Sequence, residues 1–467
     1  MDDPMKTMKV PDGMVSELKE AATMIDSTEG VVRVISHHDG DGICSAGILG
    51  KAINRAGKIF QASMTDVLKP EDIENLNGGF DLYIISDMGS QLAPSLSDRV
   101  LELGKRCIIL DHHKPGDRDK QFSISDGRGI LEINPRFHGI NGTSGCCGST
   151  LSFLESVVMN PVNTDMCIFS LAGAIADRQH VPEFTELNLG VKELALDMDF
   201  VSSNIGMPLH GNTLEEAILM SNDPFIKGLS GERSNVRSVL SMLGIEPELS
   251  PGDLRGEKLK MVQSLLYSRL LDNGVDYHRV HELFRENLIS DKYGDLQSLA
   301  YEIDSCGRLD EMGVGFDAVW GGEEALKRAY ENRNRNRKKV QSHILDLIKK
   351  GVNEEDYVNW FEIEDNSLAG TVAGIAHNYV FDHRKPILAL SEGDEGMVKV
   401  SGRGNHELVR RGLDLGKIMD EVCGGLGGSG GGHDVAAGGN FPVDRKEDFI
   451  SGVDKMVGEQ IHKGDFE

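Results

Sequence analysis

The sequence predicts an α/β protein built on a parallel sheet, and three observations carry that prediction. First, three short apolar runs end abruptly in acidic or imidazole residues. Val31-Val32-Arg33-Val34-Ile35 runs into Ser36-His37-His38-Asp39-Gly40-Asp41-Gly42, Leu82-Tyr83-Ile84-Ile85-Ser86 into Asp87, and Ile109-Leu110 into Asp111-His112-His113. Runs of this length, rich in β-branched residues and bounded by turn residues, read as buried strands. Second, helical patterns alternate with them, which implies a parallel sheet covered by helices on both faces. Third, ligands of open α/β sheets collect where the strands end, so three strands finishing in Asp or His aim hard ligands into one crevice.

The elements follow in chain order. Met14, Leu18, Ala21, Ala22 and Ile25 are spaced for an amphipathic helix before the first strand. Ile43 to Ala56 reads as the helix after the first His-Asp loop, Lys58 to Ser63 as a strand, and Leu92 to Leu103 as a helix. Thr143 to Val157 and Met166 to Ala176 look helical, the latter closing on Asp177. From about Pro182 to Leu326 strand signals fade and helices such as Lys258 to Leu271 and Tyr277 to Leu288 take over. Glu323 to Lys350 contains no Pro and sets Val340, Ile344 and Leu347 on one face, as a long connecting helix would. The α/β pattern then resumes, with Pro386 to Leu390 and Gly396 to Val400 as strands. The expected organisation is therefore a first domain over 1–322, its helical region at about 182–322, a connecting helix over 323–350, and a smaller α/β domain over 351–467.

Composition narrows the function classes. Hydrophobic residues make up 39% and charged residues 27%, the proportions of an ordinary globular chain. No apolar run reaches the ~18 residues of a membrane span, so no membrane partner is expected, and the polar start Met1-Asp2-Asp3-Pro4 is no secretory signal, which points to the cytoplasm. The seven cysteines form no CxxC pair, and Cys146-Cys147 reads as two small residues packed at a helix start. A net charge of −26 repels phosphate globally. Any nucleic-acid contact must then come from local basic stretches, of which Lys327-Arg328 with Arg333, Arg335, Arg337, Lys338 and Lys339 is the clearest.

The chemistry concentrates at the strand ends. Asp39-Gly40-Asp41 alone is an ordinary polar turn, and Asp87 alone a helix cap. Asp111-His112-His113 after an apolar strand is harder to explain without a bound ion. Together with Asp177 these residues offer more carboxylates than one ion needs. A mixed His/Asp set suits Mn²⁺ better than Ca²⁺. The set fits two ions sharing a carboxylate, which would polarise a phosphate and activate water as nucleophile.

At these residues the chain resembles the DHH/DHHA1 phosphoesterases, and among them the archaeal RecJ-like single-strand-specific nucleases, over nearly its whole length. His37-His38-Asp39-Gly40-Asp41-Gly42 matches the first family motif, Asp87 the second, Asp111-His112-His113 the third and Asp177 the fourth. The resemblance implies a DHH domain followed by a DHHA1 domain. It further implies that Asp39 and Asp87 hold one metal ion, that Asp41, Asp87, His112 and Asp177 hold the other, and that Mn²⁺ is preferred with Mg²⁺ second. His113 would face the scissile phosphate as a catalytic residue, with Asp111 orienting the neighbouring histidine. Many members carry a ligating His four residues before the first Asp. Here that position is Ile35, and His37 or His38 takes its place, His37 as the candidate ligand and His38 as the candidate substrate contact.

Three further segments bear on substrate. Asp304-Ser305-Cys306-Gly307-Arg308-Leu309 resembles the family's Asn-Ala-x-Gly-Arg segment, with Asp in place of the usual Asn, and implies Arg308 beside the substrate. The glycine run from Gly424 to His433 reads by composition as a linker, yet apolar residues flank it on both sides. Its Gly431-Gly432-His433 resembles the terminal DHHA1 motif, which grips a phosphate through backbone N–H groups and the His. Ser401-Gly402-Arg403 resembles the serine-arginine segment of that domain, whose guanidinium can clamp a phosphate. The leading expectation is exonucleolytic hydrolysis of single-stranded DNA or RNA, with replication or repair proteins as partners. Two alternatives are a phosphodiesterase of short oligonucleotides or cyclic dinucleotides, and a replication-fork scaffold with little nuclease activity.

Overall fold

The computed structural model describes residues 3–69, 72–73, 76, 79–115, 122–124, 128–206, 209–393 and 396–464. The chain divides into two compact units. The first comprises Met1–Gly206 with Arg285–Asn334, the second Met207–Phe284 with Arg335–Glu467. The helical segment expected as one block at 182–322 is thus shared between the units, and the helix Glu323–Lys350 contributes to both. No described helix is long and apolar enough to cross a membrane.

The first unit is organised by five parallel strands, β1 (Val32–His37), β2 (Phe60–Thr65), β3 (Leu82–Ser86), β4 (Arg106–Leu110) and β5 (Gly129–Ile133). Their order is β2-β1-β3-β4-β5. The order reverses between β1 and β3, which in doubly wound sheets opens a crevice at the carboxyl ends of those strands. β3 is buried along its whole length, and Val32, Val34, Ile84 and Ile108 join the helices Gly40–Arg55 and Gly148–Met159 in one apolar core. Burial on both faces explains why these strands read as continuous apolar runs rather than alternating ones.

Three elements differ from the sequence expectation. β5 is not anticipated, because its Glu132 is fully buried and its carboxylate accepts the Phe122 N–H. The helix expected from Thr143 starts only at Gly148, the segment before it forming the loop that carries Gly142 and Cys146. The helix expected over Tyr277 to Leu288 stops at Glu282. Arg285–Ser290 is instead β7, pairing with β6 (Ser202–Gly206) and β8 (Gly294–Asp295). Pairing with a strand more than eighty residues away in sequence overrode the local helical pattern.

The second unit carries a six-stranded sheet, built from β9 (Asn353–Glu354), β10 (Asn359–Glu362), β11 (Ile387–Glu392), β12 (Met397–Arg403), β13 (Ser429–Gly432) and β14 (Ala436–Pro442). Their order is β13-β14-β12-β11-β10-β9. Much of the glycine run is accordingly the edge strand β13 rather than a linker. The long helix is tied into this unit by its side chains. Gln341 donates to the Leu219 carbonyl at 2.7 Å, and Arg337 to the carbonyls of Met220 at 2.8 Å and His210 at 3.1 Å. The Leu219 and Met220 carbonyls lie at the C-terminal end of the helix Leu214–Leu219, where no residue of that helix can reach them, and the Gly231 N–H joins Gln341 at Leu219.

The basic stretch is therefore not a continuous cationic track. Arg333 is 4% exposed and lies 3.4 Å from Glu302, Arg337 is spent on backbone carbonyls, and Lys339 pairs with Asp365 at 2.7 Å. Those three charges are engaged within the protein, and Arg335 and Lys338 of the same stretch are exposed.

Candidate metal centre and glycine-rich sheet face

The ends of β1, β3 and β4 deliver their ligand residues to one place in the first unit. Asp39 caps the helix Gly40–Arg55, accepting the Gly42 N–H at 3.0 Å. Asp41, in the first turn, is 1% exposed and accepts the N–H groups of Gly148 at 2.7 Å and Ser149 at 2.9 Å. Its carboxylate thus sits on the N-terminus of the helix Gly148–Met159, where the helix dipole favours a negative charge. Asp87 follows β3 in a left-handed conformation with φ 58°, which Asp tolerates better than most residues. Gly148 makes room for it, since a Cβ there would lie 2.6 Å from the Asp87 Cβ.

His112 is the hub. Its Nδ1 lies 2.5 Å from the Gly142 carbonyl, so it carries the proton and donates. That turns Nε2 to the carboxylates, 3.1 Å from Asp87 Oδ1 and 3.9 Å from both Asp41 and Asp177. Asp177, at the C-terminus of the helix Cys167–Ala176, accepts from Gln179 at 2.8 Å. Gln179 also donates to the Gly142 carbonyl at 3.1 Å and accepts from Asn188 at 2.7 Å. One amide thereby orients both the carboxylate and the carbonyl that fixes His112.

The two histidines of the first motif separate. His37 Nδ1 lies 3.1 Å from Asp39 and 3.7 Å from Asp87, whereas His38 turns to Asp66 at 3.6 Å. Asp111 points away from the cluster, to the Ser90 N–H at 2.8 Å and to His113 Nδ1 at 2.8 Å. Arg308 ends the helix Leu296–Arg308, with its Nε 2.6 Å from Asp304, whose other oxygen accepts the Gly40 N–H at 3.2 Å. Gly307 packs on the His38 carbonyl, where a Cβ would come within 2.0 Å. Arg308 therefore belongs to the surroundings of the first motif.

The donor set fits divalent ions. Ligand atoms of His37, Asp39 and Asp87, of Asp41, His112 and Asp177, and of Asp87, His112 and His113 lie within 4.8 Å of one another in each group. Among the described residues no Lys or Arg pairs with Asp41, Asp87 or Asp177. Burial and the neighbouring Asp41 charge lift Asp87 to about 8, and burial lifts Asp177 to about 6. Against the pull of burial, Asp39 and Asp87 raise His37 to about 11, and Asp87 raises His112. Buried carboxylates of one sign without a fixed cation are what a bound cation compensates.

In the second unit, β12 and β14 run antiparallel with Ser401 opposite Gly438 and Arg403 opposite Ala436. β13 places Gly431 opposite the same Gly438, and His433 exchanges backbone bonds with Ala436 at 2.9 and 3.3 Å. Ser401 and Gly431 thus flank one residue, and Arg403 and His433 the next on that face. Gly432 lies opposite Ala437. Burial opposes the charge on Arg403 and lowers its pKa.

Comparison with known proteins identifies the two domains that carry these features. Residues 31–151 match the N-terminal domain of the DHH family, and residues 357–459 match the DHHA1 domain. The chain belongs to the DHH/DHHA1 family. An uncharacterized protein of Methanocaldococcus jannaschii is 28% identical over 442 residues, 93% of this DHH/DHHA1 chain and 95% of the relative. RecJ from Thermus thermophilus in complex with Mn²⁺ has the same fold, with a TM-score of 0.57 at 15% identity over 95% of this chain and 55% of that one. This DHH/DHHA1 chain thus spans about half the length of that RecJ. Cdc45 from Entamoeba histolytica aligns with a TM-score of 0.62 at 11% identity, over 97% and 99% of the two chains.

Several residues around the DHH centre had not been singled out from sequence. Gln179, Ser90 and the Gly142 carbonyl orient Asp177, Asp111 and His112. Only the position of Gln179, two residues after a ligand candidate, could have drawn notice.

Proposed function

We propose that this DHH-family phosphoesterase removes nucleotides from an end of single-stranded DNA or RNA, using two divalent ions with Mn²⁺ preferred over Mg²⁺. The observation that carries the reading is the Nε2 of His112, aimed at Asp87 with Asp41 and Asp177 beside it, where an ion would take the place of a proton. His37, Asp39 and Asp87 would hold one ion, and Asp41, Asp87, His112 and Asp177 the other. Bound there, the ions would supply Lewis-acid polarisation of the phosphate and lower the pKa of a water. The chain's own groups do the positioning. Asp111 fixes His113 through Nδ1 and raises its pKa, so the imidazolium faces outward and neutralises charge on a phosphoryl oxygen. Gln179 holds the Asp177 carboxylate in place. His38 and Arg308, near the first motif, and Ser401, Arg403, Gly431, Gly432 and His433, on the glycine-rich face, bind the substrate's phosphates.

A second reading shortens the substrate to oligonucleotides of a few residues. It is favoured by the internal pairing of Arg333, Arg337 and Lys339, which leaves that helix without an extended basic path. One experiment tests both. Full-length protein with Mn²⁺ is given end-labelled 5-mers and 30-mers of DNA and RNA, and the products are resolved. A ladder growing from one end supports the exonuclease, and cleavage confined to the 5-mer supports the short-substrate reading. Intact substrates of both lengths would refute both.

A further inference from the structure

The register of β13, β14 and β12 lays out more than the two rows occupied by the family motifs. Residues of β12 alternate between the core and the open face: Val398 and Val400 are 9% and 3% exposed, whereas Lys399 is exposed and Ser401 and Arg403 half-buried. On that face the rows read Arg403–Ala436–His433, then Ser401–Gly438–Gly431, then Lys399–Asn440–Ser429. Successive rows are two residues apart, about 7 Å at the rise of an antiparallel strand. The first two rows hold the serine-arginine and Gly-Gly-His segments. The third has no assigned role.

Its polar groups are arranged as donors. The Ser429 N–H can only donate, and it bonds Asn440 Oδ1 at 3.1 Å, so the Asn440 oxygen faces Ser429 and its NH₂ is left to point elsewhere. The Ser391 hydroxyl donates to Asn366 Oδ1 at 3.0 Å, orienting that amide in the same sense. Lys399 has no ion-pair partner among the described residues. Asn366, Lys399, Ser401, Ser429, Gly431 and Asn440 line one open groove. An ammonium and two amide NH₂ groups, with their acceptor oxygens already occupied, complement a group that only accepts and carries negative charge, as a phosphate does.

We propose that Lys399, Asn440 and Asn366 form a second phosphate subsite, which takes the phosphodiester next to the one held by Ser401, Arg403 and His433. The proposal rests on the nucleic-acid reading above and sharpens it: the preferred substrate carries at least two consecutive phosphates, and a mononucleotide fills only part of the face. Lys399 and Asn440 are then residues that set substrate length.

The test is calorimetric binding of a phosphorothioate-linked DNA trinucleotide and of dAMP to the full-length protein, its Lys399→Gln variant and its Asn440→Asp variant. Asn440→Asp keeps the acceptor for Ser429 and replaces the donors by a negative charge. Both variants should bind the trinucleotide about ten- to a hundredfold more weakly, the loss expected for one charge-assisted contact, while dAMP binding and the unfolding midpoint stay as in the parent. Unchanged trinucleotide affinity in both variants, or equal weakening of both ligands, overturns the subsite and leaves the nucleic-acid reading standing. A parent protein that binds neither ligand overturns that reading and the subsite with it.

Discussion

Asp111 Oδ1 lies 2.8 Å from His113 Nδ1 and also accepts the His113 N–H at 3.1 Å, while Oδ2 accepts the Ser90 N–H at 2.8 Å. Both oxygens of this carboxylate are occupied, by the Ser90 N–H and by His113, and neither faces Asp41, Asp87 or Asp177 in a candidate ligand group. Its role is to hold an imidazole, not an ion. Asp111→Asn should therefore lower kcat by about ten- to a hundredfold, the range for a partner that orients a functional group. Mn²⁺ binding by calorimetry should remain that of the parent. Loss of an ion in this variant would return Asp111 to the ligand set.

Asp87 is predicted to work against stability while serving activity. In the metal-free protein its buried charge lies among other carboxylates, so Asp87→Asn should leave the first unit as stable or more stable to urea while abolishing Mn²⁺ binding and turnover. Gly148→Ala should also lose Mn²⁺, but by pressing a methyl group against Asp87, at a cost of about 1–3 kcal/mol. Opposite signs in urea with the same loss of metal is the expected pattern. Destabilisation by Asp87→Asn would show that the carboxylate is held by partners other than an ion.

Arg337→Gln is expected to behave as a stability mutation. It removes the donors serving the Met220 and His210 carbonyls and should destabilise the second unit by about 1–3 kcal/mol. The salt dependence of 30-mer binding should not change, because this guanidinium has no role on a phosphate. A log–log slope flatter by about 0.7 would instead indicate one lost contact to a single strand.

The second unit should lose stability in mild acid through His377. This ring is 1% exposed, its Nε2 has no hydrogen-bond partner, and burial lowers its pKa to about 4 despite help from Asn378; His383 and Asp382 are the charged neighbours. A histidine that titrates near 4 when folded and near 6.5 when unfolded binds more protons in the unfolded state between those values. Its contribution is therefore complete above pH 6.5 and is lost as pH falls towards 4, to the extent of roughly 3 kcal/mol. Urea unfolding followed by Trp360 fluorescence in a Trp320→Phe background should show this loss, and His377→Gln should remove much of it. Equal acid sensitivity in the two proteins would clear His377.

The pattern of apolar run followed by Asp or His made β1, β3 and β4 legible in sequence, because parallel strands buried on both faces leave an unbroken apolar signature that stops where the crevice begins. β5 carried no such signature, since its Glu132 is accommodated by a backbone donor from Phe122 that sequence cannot display. The same limit explains the basic helix. Arg337 reads as a phosphate contact until the carbonyls it serves, more than a hundred residues earlier, are seen. Motif residues could be named, but whether His37 or His38 turns to the carboxylates depends on how each leaves the end of β1. The three rows on the glycine-rich face required strand register, which composition does not encode.

The carbonyl of Met220 also imposes an order in time. Its donor, Arg337, is 117 residues further along the chain, and Gln341, which joins Gly231 at the Leu219 carbonyl, is 122 residues beyond Leu219. On the ribosome, the segment around 214–220 is made long before the side chains that complete it have been added. It must wait with the Met220 carbonyl open while β7, β8 and the following helices of the first unit emerge. The second unit is thus finished late and from both ends of an interruption, and a nascent chain halted before residue 337 would hold a first unit nearly complete in sequence beside a helical segment that cannot yet close.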